Sequence, residues 1–137
     1  QFSEPSGWWA HITALRDRDD ATIDIKKLGT FPIVHGMRAL ALQYHLTELG
    51  TVERMRTLVN LGHLDRDLAR DLTDTLYFLM GLKLRHNLHQ RQLQQAADNL
   101  VHLSQFATME RDMLKDALAI IKRLRQFLRL HFRLDAL

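Results

Sequence analysis

The chain of 137 residues contains no cysteine, which excludes both a disulfide framework and a thiolate metal site. Proline occurs only at Pro5 and Pro32, so nothing beyond the first quarter of the chain forbids long helices. No apolar run approaches the roughly 20 residues that cross a bilayer, and Gln1 to Trp9 lacks the basic-then-apolar pattern of a signal peptide. These absences lead us to expect a cytoplasmic protein that does not engage a membrane. The first residue is not methionine, as in a domain cut from a longer protein. Charge of one sign is also scarce: 19 Lys and Arg face 16 Asp and Glu, a net +3, too little to argue for nucleic acid. Catalytic groups are missing as well. There is no Gly-rich phosphate loop and no Ser/His/Asp arrangement. The clustered Asp17, Asp19 and Asp20 alternate with arginines in a connector, a poor place for the paired carboxylates of two-metal chemistry.

Good helix formers are abundant: Leu, Ala, Arg, Gln, Lys and Met. A turn at Pro5-Ser6-Gly7 leads into a short helix through about Leu15. Thr22-Ile23-Asp24-Ile25-Lys26 alternates apolar and polar residues, the pattern of an extended segment; with no strand partner evident, we expect it to lie as extended backbone against helices. Leu28-Gly29-Thr30 reads as a turn, and Pro32 then sits in the first turn of a helix.

That helix should run from about Phe31 to His45, burying Val34, Met37, Leu40, Ala41 and Tyr44. The next should cover Val52 to Leu61, with Val52, Met55, Leu58 and Val59 inward and Gly62 as its C-terminal cap. Asp65 caps a long helix from Arg66 to about Ala96, with Leu68, Leu72, Leu76, Leu79 and Leu82 as its core stripe and Gly81 marking close packing or a bend. Asp98-Asn99 is a turn, and Leu100 to Phe106 crosses over. Thr108 caps the last helix, Met109 to about Phe132, whose expected buried face is Met113, Ala117, Ile120, Ile121, Leu124, Phe127 and Leu128. The expected fold is therefore all-α: an antiparallel bundle of four main helices, with a short N-terminal helix and one extended segment, forming a single domain over 1–137.

Three features could carry function. The first is Asp24 to Arg38, where Asp24, Lys26 and Lys27 lead into a helix start whose unpaired backbone N–H groups, with Arg38 and His35 nearby, would suit an anion. Gly36 would allow close approach of a ligand or simply pack a helix. The second is His86 and His89, three apart on one helix face, but no third ligand is assignable and no metal site is expected. The third is a basic stripe on the last helix: Arg111, Lys115, Lys122, Arg125, Arg129 and Arg133 fall within an arc of roughly 80° at ~100° per residue. No aromatic residues interleave with it, so it reads as a solvated face rather than a nucleic-acid surface.

The run Ile23-Asp24-Ile25-Lys26-Lys27-Leu28-Gly29-Thr30-Phe31-Pro32-Ile33-Val34-His35-Gly36-Met37-Arg38-Ala39-Leu40-Ala41-Leu42 resembles the signature of the nucleotidyltransferase substrate-binding domain family. Two further stretches agree in order and spacing: Leu82-Lys83-Leu84-Arg85-His86-Asn87-Leu88 with Gln90, and Asp98-Asn99-Leu100-Val101 through Leu103-Ser104 to Glu110-Arg111 and Leu114-Lys115-Asp116-Ala117. The resemblance covers about Trp8 to Phe132. It departs from the family pattern at His35, where an acidic residue would be expected before Gly36.

The resemblance implies a helical domain that follows a nucleotidyltransferase domain in bacterial signalling proteins, often behind cyclic-nucleotide-binding and CBS modules. Glutamine-synthetase-modifying and uridylyl-transferring enzymes are similarly organised. The catalytic carboxylates, Mg and the nucleoside triphosphate would belong to the preceding domain, leaving this one non-catalytic, without a cofactor of its own, and helping to hold nucleotide or an unidentified acceptor. Lys26, Lys27, Arg38 and Asp24 then become the candidates for contacting phosphate or docking against the catalytic domain, with Lys26 first. The alternative is a helical interaction or regulatory module that never meets nucleotide. A self-sufficient enzyme fits least, for want of a catalytic set. Apolar surface left uncovered on an isolated domain could also make it a homodimer.

Overall fold

The computed structural model describes residues 22–135, with side chains through Arg133. The expected N-terminal helix, the Arg16–Asp20 connector and its three aspartates lie outside the described residues. Within them the fold is mostly helical. Strand β1 (Thr22–Asp24) passes into a π-helical turn (Lys26–Thr30) and helix α1 (Phe31–Gln43). Helices α2 (Thr51–Asn60) and α3 (Arg66–Gln92) follow, then strand β2 (Leu100–His102), a 3-10 turn (Leu103–Gln105) and helix α4 (Thr108–Asp135). The four main helices expected from the periodicity are present.

Their ends have local causes. Asp65 stands in extended geometry before α3 and its carboxylate accepts the Leu68 N–H at 3.0 Å, a side-chain N-cap. Three helices close through a residue in the left-handed region: His45 at φ 56 after α1, Gly62 at φ 80 after α2, and Gln94 at φ 57 after α3. In each, the following N–H reaches back to a carbonyl of the last turn: Leu46 to Ala41, His63 to Leu58 and Gln95 to Gln90. This is why α1 and α3 stop earlier than the apolar periodicity predicts. Glycine marks only one of these stops, so the other two are invisible to composition. At α4, Thr108 is the first helical residue rather than the cap, and Glu110 supplies the capping group by accepting the Ala107 N–H at 3.3 Å.

The extended segment does have a strand partner. Thr22 pairs with His102, Ile23 with Val101 and Asp24 with Leu100, antiparallel. Ile23 and Val101 are both buried, so this short ribbon lays one face on the helices and shields its inner backbone groups from needing water. The pairing joins two stretches far apart in the chain, each contributing three residues to the ribbon.

The core gathers Ile23, Ile25, Ile33, Met37, Leu40, Met55 and Leu58 with the α3 stripe Leu68, Leu72, Leu76, Leu79 and Leu82. From α4 it takes Leu114, Ala117, Leu118, Ile121, Leu124 and Leu128. The α4 face is thus rotated from the expected one: Leu114 and Leu118 point inward, whereas Met113 is 45% exposed. Two glycines set helix distances. A Cβ on Gly29 would stand 2.7 Å from Leu79 Cδ1, and one on Gly36 would stand 2.8 Å from Leu128 Cδ1. The π turn therefore packs directly on α3, and α1 packs directly on α4. Gly81 is different, since a Cβ there would meet nothing within 4 Å among the described residues; it marks no close packing among them.

Candidate functional site

The segment from Asp24 to Arg38 is not a turn followed by a helix start. Ile25 is already helical in φ and ψ, and the chain runs through the π turn into α1 without a break, the Phe31 N–H donating to the Lys26 carbonyl. The unpaired N–H groups expected at Phe31 are consequently absent. The true helix start lies at Ile25, and its amides are claimed from within the fold. The Ile25 N–H donates to the Asn99 carbonyl at 2.8 Å and the Lys27 N–H to Asp24 Oδ1 at 2.9 Å. Asp24 is therefore a capping residue. Gly36 is occupied by Leu128, which settles it as a packing glycine.

What the segment builds instead is a cationic groove between α1 and α4, of about 300 Å³. Lys27 from the π turn, Arg38 from α1 and Arg125 from α4 line it, with His35 beside them. Phe31, Pro32, Ala39, Leu42 and Leu128 form its apolar surface. Among the described residues its charged lining is cationic, a character that suits an anion. His35, standing where an acidic residue was expected, lies edge-on to Phe31 with ring centroids 4.9 Å apart.

The expected site residues separate into two groups. Lys27 and Arg38 come together in the groove. Lys26 is not among the lining residues and places Nζ 4.7 Å from the centroid of the Phe31 ring, a cation–π contact. Lys26, the first choice from sequence, thus stands against Phe31, and Lys27 is the lysine in the groove lining. Arg125 is the residue that sequence reasoning missed as a partner. In the sequence it is one of six basic residues on the last helix, and only the approach of α4 to α1 at Gly36 shows which of them meets Lys27 and Arg38.

The other two stretches of the family-like pattern form one hydrogen-bonded network. Asp98 Oδ1 lies 2.9 Å from His86 Nε2 and accepts the Gln90 amide at 2.9 Å and the Leu100 N–H at 3.1 Å. Gln90 Oε1 in turn accepts the Asp98 N–H at 3.0 Å. Gln90 is one of two buried polar residues among those described, and this reciprocal pair satisfies it. The network pins β2 to α3, β2 holds β1, and β1 delivers Asp24 to cap the turn that presents Lys27. His86 and His89 line a second depression of about 330 Å³ with Arg85 and Glu110, which pair with each other. Among the described residues, no group of three or more His, Asp or Glu could hold a metal ion.

These elements define an all-α domain of bundled helices with a cationic groove on one flank. A family model described as "Putative nucleotidyltransferase substrate binding domain" matches residues 1–132, and the chain belongs to that family. No curated protein and no solved structure matches it.

Proposed function

We propose that this domain is the accessory, non-catalytic substrate-binding part of a bacterial signal-transduction nucleotidyltransferase, and that the groove of Lys27, Arg38 and Arg125 receives phosphate charge from the nucleotide or the acceptor beside a separate catalytic domain. Family membership supports the accessory role. The single observation carrying the finer reading is the convergence of three cationic side chains from three elements in one groove. Arginine offers a planar fork for phosphate oxygens, and lysine a mobile point charge. The apolar surface around them would take a base or another flat group. The residues supply binding and electrostatic steadying; Mg and the attacking groups would come from the neighbouring domain.

The test is an NMR titration with magnesium-ATP and magnesium-GTP, comparing wild type with a Lys27→Ala, Arg38→Ala double variant. We expect shifts concentrated around Lys27, Phe31, Arg38 and Arg125 that vanish in the folded variant and weaken as salt rises. A wild-type domain silent toward millimolar nucleotide, inorganic triphosphate and phosphate alike would overturn the groove as a phosphate subsite.

A further inference from the structure

Helix α3 is apolar on two opposite sides. One side is the core stripe. On the other, roughly 180° away at ~100° per residue, Tyr77 is 58% exposed, Leu84 61% and Leu88 51%, with Met80 beside them at 52%. Isolated exposed apolar residues are ordinary, but a continuous stripe opposite the core of its own domain marks a contact surface. Asp74, Tyr77, Gly81, Leu84, Leu88 and Arg91 follow one another at alternating spacings of three and four residues, the seam of a coiled coil.

We propose that α3 is a self-association surface on which a second copy of this chain packs antiparallel. Reversing the seam about its midpoint opposes each position with another of complementary character. Tyr77 meets Leu88, Gly81 meets Leu84, and Asp74 meets Arg91, each twice by the two-fold axis. A large residue thus faces a small one at the centre, and an acid faces a base at both ends. Neither Asp74 nor Arg91 makes an ion pair or side-chain hydrogen bond among the described residues. The pairing also gives Gly81 a reason: nothing among the described residues lies within 4 Å of where its Cβ would be, and an interior glycine costs a helix about 1 kcal/mol relative to alanine. Opposite Leu84 of the other copy, its missing side chain lets the helices close. Beside the seam, Met80, Tyr77 and Leu84 continue into a groove of about 670 Å³ walled by Val34 and Val52, which the second helix would cover. A parallel pair would set Asp74 against Asp74 and Arg91 against Arg91, so like-charge repulsion selects the antiparallel arrangement.

Sedimentation equilibrium of the intact chain tests this. We expect a dimer at about 100 μM, a concentration that saturates an interface with a Kd near 1 μM. Leu84→Glu should be monomeric with unchanged helical circular dichroism, because residue 84 faces away from its own core. Asp74→Arg and Arg91→Glu should each weaken the dimer on the order of 10-fold, and the double variant, which restores opposite charges across the seam, should recover it. A wild-type chain that stays monomeric would assign the stripe to a different partner and overturn the proposal. So would a dimer indifferent to Leu84→Glu, or a charge swap that fails to rescue.

Discussion

The Nε2 of His86 lies 2.9 Å from the Oδ1 of Asp98, so the ring N–H of a helix residue is donated to a carboxylate on the connection leading into β2. That hydrogen bond is the main influence holding the Asp98 carboxyl below its ordinary value of 3.8, with burial opposing it and the Gln90 amide and Leu100 N–H adding to it. Arg85 acts likewise on Glu110, holding it below 4.5, with burial opposing and the Ala107 N–H helping. Both carboxyls bind protons less readily folded than unfolded. Their stabilisation is complete above the ordinary values and is lost as pH falls through the lowered ones.

Asp98→Asn should therefore cost about 1 kcal/mol at pH 7, a figure kept small because Asp98 is half exposed. The penalty should begin to shrink as pH falls below the ordinary value of 3.8 and should be least below the lowered folded value, where the wild-type carboxyl is also neutral. Urea unfolding at pH 7 and pH 3 measures both. An equal cost at the two pH values would show that the charge on Asp98 contributes nothing.

Glycine substitutions should give opposite signs at two positions on the helices. Gly36→Val must displace the fully buried Leu128 from 2.8 Å and should destabilise by about 2–3 kcal/mol. Gly81→Ala meets no atom within 4 Å among the described residues and should stabilise the dilute monomer by about 0.5–1 kcal/mol through helix propensity. Thermal unfolding at low concentration distinguishes them.

The two adjacent lysines should behave differently. Lys26→Ala should leave anion-induced shifts unchanged and lose about 0.5 kcal/mol with the Phe31 contact. Lys27→Ala should weaken the anion response while leaving stability nearly untouched, because its side chain lines the groove. Parallel titration and denaturation of the two variants would show the split, and identical behaviour would contradict it.

Removing the cap of α3 by Asp65→Ala should cost about 1 kcal/mol, since its carboxylate alone takes up the Leu68 N–H. Asp65→Ser should restore most of that loss in the same denaturation assay.

Much of this fold was legible in the residues. The α3 stripe, the Asp65 cap and the Gly62 stop follow from periodicity and cap chemistry, which are local properties. What escaped was non-local or geometric. The partner of Ile23 is Val101, a pairing that no window of sequence contains. The early ends of α1 and α3 depend on His45 and Gln94 adopting a left-handed conformation that their residue types only tolerate. The candidate site was legible as a segment, but the placement of its side chains was not. Two neighbouring lysines look alike in sequence, and the π turn sends Lys27 into the groove and Lys26 onto Phe31. Arg125 could be recognised only once Gly36 had let α4 close on α1.

The β1–β2 ribbon also has a temporal consequence. Thr22 emerges from a ribosome well before His102, so the strand that aligns Asp24 must wait for a partner 80 residues further along the chain. Helices α1 to α3 can form from neighbouring contacts, whereas the ribbon closes a long loop and carries the corresponding entropic delay. The cationic groove, which also needs α4, would then be among the last surfaces completed, so a nascent chain would not present it to cellular anions before its bundle was assembled.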